Sequence, residues 1–117
     1  MTARDLQYLF TGYKLRCETE ATLQAAIARC LEENHVAFKR EVRLTDQDRV
    51  DFMVGGTAIE VKIDGGLSEL TRQVHRYAQH SDVAEILVIT TKAKHAGLPR
   101  LINNKPLRLW WIGGQTL

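Results

Sequence analysis

The most informative stretch of the chain is RVDFMVGGTAIEVKI, residues 49–63. Two short, mostly apolar runs flank a Gly-Gly pair, and this arrangement predicts a β-hairpin with a two-residue turn. Because side chains alternate between the two faces of a strand, Glu60 and Lys62 are predicted to lie on one face. The two-residue turn also places position 51 opposite position 60, so Asp51 is expected to face Glu60 across the hairpin.

The apolar residues of the hairpin are predicted to point into the core. They are Val50, Phe52, Val54, Ile59, Val61 and Ile63. Facing carboxylates at Asp51 and Glu60 would repel each other, at a cost of a few tenths of a kcal/mol to ~1 kcal/mol. A divalent cation would offset that repulsion, and Lys62 could then stabilise negative charge that develops on a substrate. The other interpretation is a solvated sheet face that holds an ordinary Glu–Lys pair.

Outward from the hairpin, the apolar pattern predicts helices and strands in one α/β domain with a mixed sheet flanked by helices. The predicted elements are a short helix over 4–14, a helix from Thr19 to about His35, a strand over 38–45, the two hairpin strands, a helix over 67–80, a buried strand over 86–89, a loop or short helix over 93–104 and a strand over 107–112. Within this single domain, residues 1–18 are expected to form an N-terminal extension, 19–91 the core, and 92–117 a C-terminal loop and strand.

The composition is that of an ordinary globular protein. Of 117 residues, 44% are apolar and 26% charged, and no apolar run approaches the ~18 residues needed to cross a bilayer. Two cysteines are too few for a disulfide framework, and the N-terminus lacks a secretory profile, so we expect a cytoplasmic protein. Residues 1–65 carry 9 basic and 11 acidic side chains and residues 66–117 carry 7 and 3. That asymmetry suits a cation site beside a polyanion site, although a normally solvated surface would explain it as well.

Two helices contribute further candidate residues. Glu20 falls on the apolar stripe of the second helix, where an ionised side chain is costly unless it is paired or bound to a metal. It could instead be there because the helix dipole favours an acidic first turn. In the helix over 67–80, Gln73 and Tyr77 lie four residues apart on one side. Tyr77 could equally be an ordinary core residue.

Basic side chains could contact phosphates without reading sequence, although they could also be no more than a solvated surface. The candidates are Arg72 and Arg76 on the helix over 67–80, and Lys92 and Lys94 in the loop that follows. The adjacent Trp110 and Trp111 must point to opposite faces of the last strand. The outer ring could stack on an unpaired base, cover the sheet or form a dimer contact.

Four of these features together resemble the PD-(D/E)XK nuclease superfamily. Asp51 followed by Glu60 and Lys62 is similar to its defining motif, with Val50 at the position of the motif's frequently absent proline. The segment from Gln73 to Tyr77 resembles the Q-x-x-x-Y motif of the branch that includes the RecB nuclease domain and lambda exonuclease. Glu20 matches the acidic residue of the family's first helix. The resemblance covers roughly 70 residues, and the four short motifs stand in the family's order.

The resemblance implies a restriction-endonuclease-like core in α-β-β-β-α-β order and a nuclease that hydrolyses DNA phosphodiester bonds, leaving 5′-phosphate and 3′-hydroxyl ends. Mg²⁺ or Mn²⁺ would be bound by Glu20, Asp51, Glu60 and the backbone carbonyl of Val61. Lys62 would assist the nucleophilic water. The roles implied for the remaining pair, Gln73 and Tyr77, are to brace the site or contact DNA. The implied catalytic set is Asp51, Glu60, Lys62 and Gln73.

Several functions remain open at this point. The small size favours cleavage that depends on DNA structure or DNA ends over cleavage at a sequence. A Holliday-junction resolvase acting as a homodimer is an alternative, with residues 6–13 or the Trp110-Trp111 pair as a dimer surface. A non-catalytic nucleic-acid-binding module on the same fold is a further possibility, although such a module would be expected to lose one of Asp51, Glu60 and Lys62. The last possibility is an unrelated α/β interaction domain.

Overall fold

A mixed sheet of six strands forms the centre of the protein in the computed structural model, which describes residues 1–113. The elements in chain order are α1 (Ala3–Thr11), α2 (Glu20–Glu33), β1 (Lys39–Arg43), β2 (Arg49–Val54), β3 (Thr57–Lys62), α3 (Leu67–Ala78), β4 (Glu85–Thr90), a 3₁₀ helix (Ala93–Gly97), β5 (Leu101–Ile102) and β6 (Lys105–Trp111). The predicted order of helices and strands through β4 is therefore confirmed, and the fold is an α/β fold with a mixed sheet.

The sheet has the strand order β1-β2-β3-β4-β6-β5. Strands β1, β2 and β3 form an antiparallel meander, whereas β3, β4 and β6 run parallel to one another. A parallel connection needs a crossover, and α3 supplies it between β3 and β4. The carboxyl ends of three neighbouring strands consequently meet at one edge of the sheet.

Helices cover both faces of this sheet. Helices α1 and α2 pack on one face, here called the α2 face, against Phe52, Ile59 and Val61. Helix α3 packs on the other, the α3 face, against Ala58 and Val88. Strand β4 is buried on both faces, as its continuous apolar sequence predicts.

Helix α2 begins where the sequence indicates, and both long helices bury their apolar side chains. The Thr19 side chain accepts a hydrogen bond from the Thr22 backbone N–H and so caps α2. The apolar stripes of the two long helices are buried. They are Leu23, Ile27, Cys30 and Leu31 in α2, and Leu70, Val74 and Tyr77 in α3.

The hairpin has the predicted two-residue turn and register. Gly55 adopts a φ of 55°, a left-handed conformation that glycine tolerates. Val54 pairs with Thr57, and Phe52 pairs with Ile59.

The predicted alternation along β2 is wrong. Val50 packs in the core of the α3 face, whereas Phe52 packs on the α2 face. The pairing of β1 with β2 passes from Arg40–Phe52 to Val42–Val50. Glu41, which lies between these pairs, has a φ of 51°. The regular alternation of side chains between the two faces is therefore interrupted in β2 between Val50 and Phe52, at Asp51.

The C-terminal part contains a hairpin that the sequence analysis did not predict. Strands β5 and β6 pair across Asn103 and Asn104, whose φ values of 50° and 61° are those of a tight turn with both residues left-handed. The last strand consequently starts at Lys105 instead of residue 107. Residues 114–117 of the predicted C-terminal segment lie outside the described residues. Within residues 1–113, no helix has the length and apolar character needed to span a membrane.

Candidate active site

The predicted carboxylate and lysine of β3 lie on the α3 face, at the edge where the parallel strands end. Glu60 is 3% exposed. Its Oε1 accepts a hydrogen bond from the Tyr77 hydroxyl at 3.1 Å, and its Oε2 lies 3.4 Å from the Lys62 Nζ. The Glu–Lys pair is therefore not part of an open sheet face, because α3 covers it.

The pKa of Glu60 is raised to about 8. Burial is the largest cause, and the nearby charge of Asp51 is the second. Lys62 and the Tyr77 hydroxyl act in the opposite direction because they favour the ionised form. A carboxyl group with a pKa near neutrality exchanges its proton in the pH range in which enzymes work.

Asp51 lies beside this pair, although not as a direct cross-strand partner of Glu60. Its Oδ2 accepts a hydrogen bond from the Val61 backbone N–H at 2.8 Å, so the carboxylate lies against the peptide that joins Glu60 to Val61. Burial raises the pKa of Asp51, and the charge of Glu20 adds to that increase. The Val61 N–H, Lys62 and Arg49 oppose it.

Gln73 is brought to the same place by α3. It lines a cavity of about 30 Å³ together with Lys62, the loop at residues 64–66 and Glu69. The structure therefore brings together all four residues of the predicted catalytic set. Four larger surface cavities, of about 480 to 780 Å³, are lined by none of them.

Tyr77 supports the site from inside. Its ring is fully buried, and its hydroxyl contacts the Arg49 carbonyl oxygen at 3.1 Å as well as Glu60. Burial and the Glu60 charge raise the pKa of Tyr77, so its hydroxyl keeps its proton. The prediction that Tyr77 contacts DNA does not fit this position, because no part of the side chain reaches the surface. Bracing Glu60 is the role that the position allows.

Glu20 is the first residue of α2 and is partly exposed. It is close enough for its charge to raise the pKa of Asp51. However, within residues 1–113 no three His, Cys, Asp or Glu side chains are clustered so that they could hold a metal ion. The expected set of three carboxylates is therefore not assembled in this conformation.

The donors that are assembled still suit a hard cation. Asp51 and Glu60 are two carboxylates in a partly desolvated notch, and Mg²⁺ commonly uses one or two carboxylates and takes its other ligands from water and substrate phosphate. Asp51 Oδ1 makes no hydrogen bond with the described residues. The carboxylate pair therefore fits the ion, with the Val61 carbonyl and Glu20 as further predicted ligands.

The predicted nucleic-acid contacts differ in their surroundings. Arg72 and Lys94 are exposed and Lys92 is partly exposed. Arg76 donates to the Asp48 Oδ1 at 2.8 Å, so its charge is already paired, although 48% of its side chain is exposed.

Sequence reasoning missed two contributors to the site. Arg49 lowers the pKa of Asp51, and its carbonyl oxygen binds Tyr77. Asp48 is 7% exposed and holds Arg76. The only sequence signal for Arg49 was its basic side chain two positions before Asp51. No neighbouring residue indicates that Asp48 is buried.

Comparison with known proteins gives no match, whether with protein-family models, curated proteins or solved structures, so the function of this chain is inferred from the geometry of the site.

Proposed function

We propose that this protein is a Mg²⁺- or Mn²⁺-dependent nuclease that hydrolyses DNA phosphodiester bonds on a restriction-endonuclease-like core of the PD-(D/E)XK type. Asp51, Glu60, Lys62 and Gln73 form the catalytic set. The element order α2-β1-β2-β3-α3-β4 is compatible with this core.

One observation carries the proposal: the half-buried Asp51 and the buried Glu60 lie close enough for their charges to interact, and the Lys62 ammonium lies 3.4 Å from Glu60. Burial raises the pKa of both carboxyl groups, and the neighbouring charge of Asp51 adds to the increase at Glu60. Such an arrangement destabilises the folded protein, and strongly perturbed carboxyl groups of this kind concentrate at functional sites. A structural ion pair would need only Glu60 and Lys62, so it does not require a second, half-buried carboxylate at Asp51 on the adjoining strand.

The bound cation would supply positive charge for the scissile phosphate and lower the pKa of the attacking water. In hydrolysis, a P–O bond forms to water, the P–O bond to the 3′ oxygen breaks, and that oxygen takes up a proton. The Lys62 ammonium, held by Glu60, stabilises the negative charge that accumulates on the phosphate oxygens. Tyr77 holds Glu60, and Gln73 lines the same cavity as Lys62.

The basic residues that surround the set, Arg72, Lys92 and Lys94, contact the DNA backbone in this proposal. Such contacts fix the position of DNA without reading its sequence. Cleavage is therefore expected to depend on DNA structure or on DNA ends.

The test is cleavage of labelled linear, nicked, flapped and four-way-junction DNA with Mg²⁺ or Mn²⁺, with EDTA as the negative control. Asp51→Asn and Lys62→Ala remove two members of the set. Lys39→Ala is the matched control, because Lys39 is an exposed lysine that pairs with Met53 at the other end of the hairpin. We expect metal-dependent cleavage by the wild type and Lys39→Ala, and a loss of at least about 100-fold in the other two.

A strong preference for the four-way junction, with a dimer in solution, would identify a Holliday-junction resolvase. If wild-type protein binds DNA but cuts none of the substrates with either metal, the proposal is wrong. A non-catalytic nucleic-acid-binding module would then be the better description.

A further inference from the structure

The two adjacent tryptophans at the end of β6 have different surroundings. Trp110 is 8% exposed and stacks on Phe10 in the core of the α2 face, with ring centroids 6.4 Å apart. Trp111 points to the other face and is 54% exposed. Trp111 does not belong to the core of the α3 face, to which β6 contributes other residues such as Leu107.

The exposed indole of Trp111 is nevertheless held in one orientation. Its Nε1 donates a hydrogen bond to the Thr91 carbonyl oxygen at 3.2 Å. Gly113 approaches the same edge of the ring so closely that an added Cβ would lie 2.5 Å from Nε1 and 2.8 Å from the Thr91 oxygen. A large, rigid aromatic surface is therefore presented to solvent at little further entropic cost on binding.

Trp111 lies in the same row of the sheet as the proposed catalytic lysine. Lys62 pairs with Thr90, and Thr90 pairs with Trp111, across the parallel strands β3, β4 and β6. Two strand spacings separate the backbones of Lys62 and Trp111 by about 10 Å. Both side chains lie on the α3 face at the edge where these strands end, and in open α/β sheets this edge is where ligands bind.

Two basic residues follow the residue that holds the indole. Lys92 directly follows Thr91, the residue that holds the ring, and Lys94 lies two residues further on in the 3₁₀ helix. Aromatic rings beside lysines form the common platform for unpaired nucleobases, because every base has a face that can stack. A membrane or an apolar partner would not require a ring fixed by a hydrogen bond at this distance from the catalytic set.

From this juxtaposition we propose that Trp111 is a stacking platform for an unpaired base next to the scissile phosphate, so that the substrate is single-stranded or frayed DNA. This inference rests on the proposed nuclease function and specifies its substrate class. Lys92 and Lys94 bind the adjoining phosphates.

The test is equilibrium binding to an oligodeoxythymidylate of twelve nucleotides and to an abasic oligomer of the same length. Both are measured in EDTA, in which no metal-dependent cleavage occurs. The wild type is expected to prefer the oligomer with bases by about 5- to 100-fold. Trp111→Ala should abolish that preference, Trp111→Phe should retain most of it, and Gly113→Ala should reduce it by displacing the indole. Tryptophan fluorescence should be quenched by the thymidylate in the wild type but not in Trp111→Phe, which keeps only the buried Trp110.

Tyr8→Ala is the matched control, because Tyr8 is an aromatic residue 82% exposed on α1, which packs on the α2 face. It should keep the full preference for bases. Sedimentation of each variant tests whether Trp111 instead contacts a second copy of the chain.

The inference is overturned if Trp111→Ala keeps the wild-type preference, if it weakens binding to both oligomers equally, if the wild type binds neither oligomer, or if the substitution dissociates a dimer. These results are separate from the cleavage assay. Cleavage without a Trp111-dependent preference would refute the platform and leave the nuclease standing. A preference without cleavage of any substrate would refute the nuclease and leave base binding at Trp111.

Discussion

Two buried polar side chains lie at the carboxyl ends of neighbouring strands, and their surroundings differ in kind. His95, in the 3₁₀ helix after β4, is fully buried. Its Nε2 contacts the Gly65 carbonyl oxygen at 2.9 Å and its Nδ1 the Thr90 hydroxyl at 2.6 Å. A ring with its proton on Nε2 satisfies both contacts, because the carbonyl accepts and the hydroxyl can donate. Glu60, in β3, is instead buried next to a second carboxylate that repels it.

These surroundings distinguish a structural polar group from a functional one. A buried group whose neighbours complement it, as at His95, stabilises the fold. A buried group whose neighbour opposes it, as Asp51 opposes Glu60, costs stability, and that cost indicates a ligand or a reaction. Substitutions at the two centres should therefore have opposite consequences.

The largest effect is expected from Glu60→Gln, which keeps the shape and the Tyr77 contact but removes the charge. Cleavage should fall by at least about 100-fold, because the amide can neither pair with Lys62 nor hold the metal as a carboxylate does. The midpoint of urea unfolding at pH 8 should stay the same or rise. Full activity in this variant would show that Glu60 belongs to the same class as His95.

His95→Ala should lower the free energy of unfolding by about 2–4 kcal/mol, because it leaves a cavity, removes the His95 partner of the Gly65 carbonyl oxygen and deprives the Thr90 hydroxyl of the acceptor for its proton. Urea denaturation measures this change. His75→Ala, at an exposed position of α3, should change the stability by less than about 0.5 kcal/mol. If the two substitutions had equal effects, the His95 contacts would not stabilise the fold.

The stability of the metal-free protein should fall as the pH rises. The pKa of Glu60 is about 8 in the folded protein against a reference value of 4.5. The folded state therefore holds more protons than the unfolded state between these values. Its contribution is fully present below pH 4.5 and is lost as the pH rises through 8, by an amount on the order of 1–3 kcal/mol. Asp51, whose pKa is also raised, acts in the same direction.

Unfolding free energies in EDTA between pH 5 and pH 9 test this dependence. Glu60→Gln should flatten most of the slope, and so should millimolar Mg²⁺, because metal binding releases the proton. An equal slope in the wild type and in Glu60→Gln would locate the titrating group elsewhere.

The smallest effects are expected at the two arginines of α3. Arg76→Ala removes the cationic partner of the buried Asp48 carboxylate, which keeps its contact with the Thr45 hydroxyl, and should cost about 1–2 kcal/mol of stability. Arg72→Ala should leave stability unchanged within about 0.5 kcal/mol, weaken DNA binding and reduce the slope of log affinity against log salt by about one. Thermal unfolding and salt titrations of DNA binding separate the two. The reverse pattern would exchange their assigned roles.

Much of the fold follows from local pattern. The hairpin turn, the register near it and the start of α2 next to Thr19 were predicted because each depends on residues adjacent in sequence. The hairpin at Asn103-Asn104 also has a local turn signal, because asparagine tolerates the left-handed conformation that both residues adopt. The reversal of faces at Asp51 was not predictable, because it depends on how β1 pairs with β2 across Glu41.

The candidate site shows the same division. Asp51, Glu60 and Lys62 were singled out as candidates from their spacing on the hairpin strands, and the resemblance to the Q-x-x-x-Y motif added Gln73. The burial of Glu60 and its contact with Tyr77 depend on how α3 packs on the sheet. The contact of Asp51 with the Val61 N–H, and the shared row of Trp111 and Lys62, likewise depend on the tertiary structure. The physical reason is that solvent exclusion, and with it the pKa of a carboxyl group, is set by elements distant in sequence that pack around it.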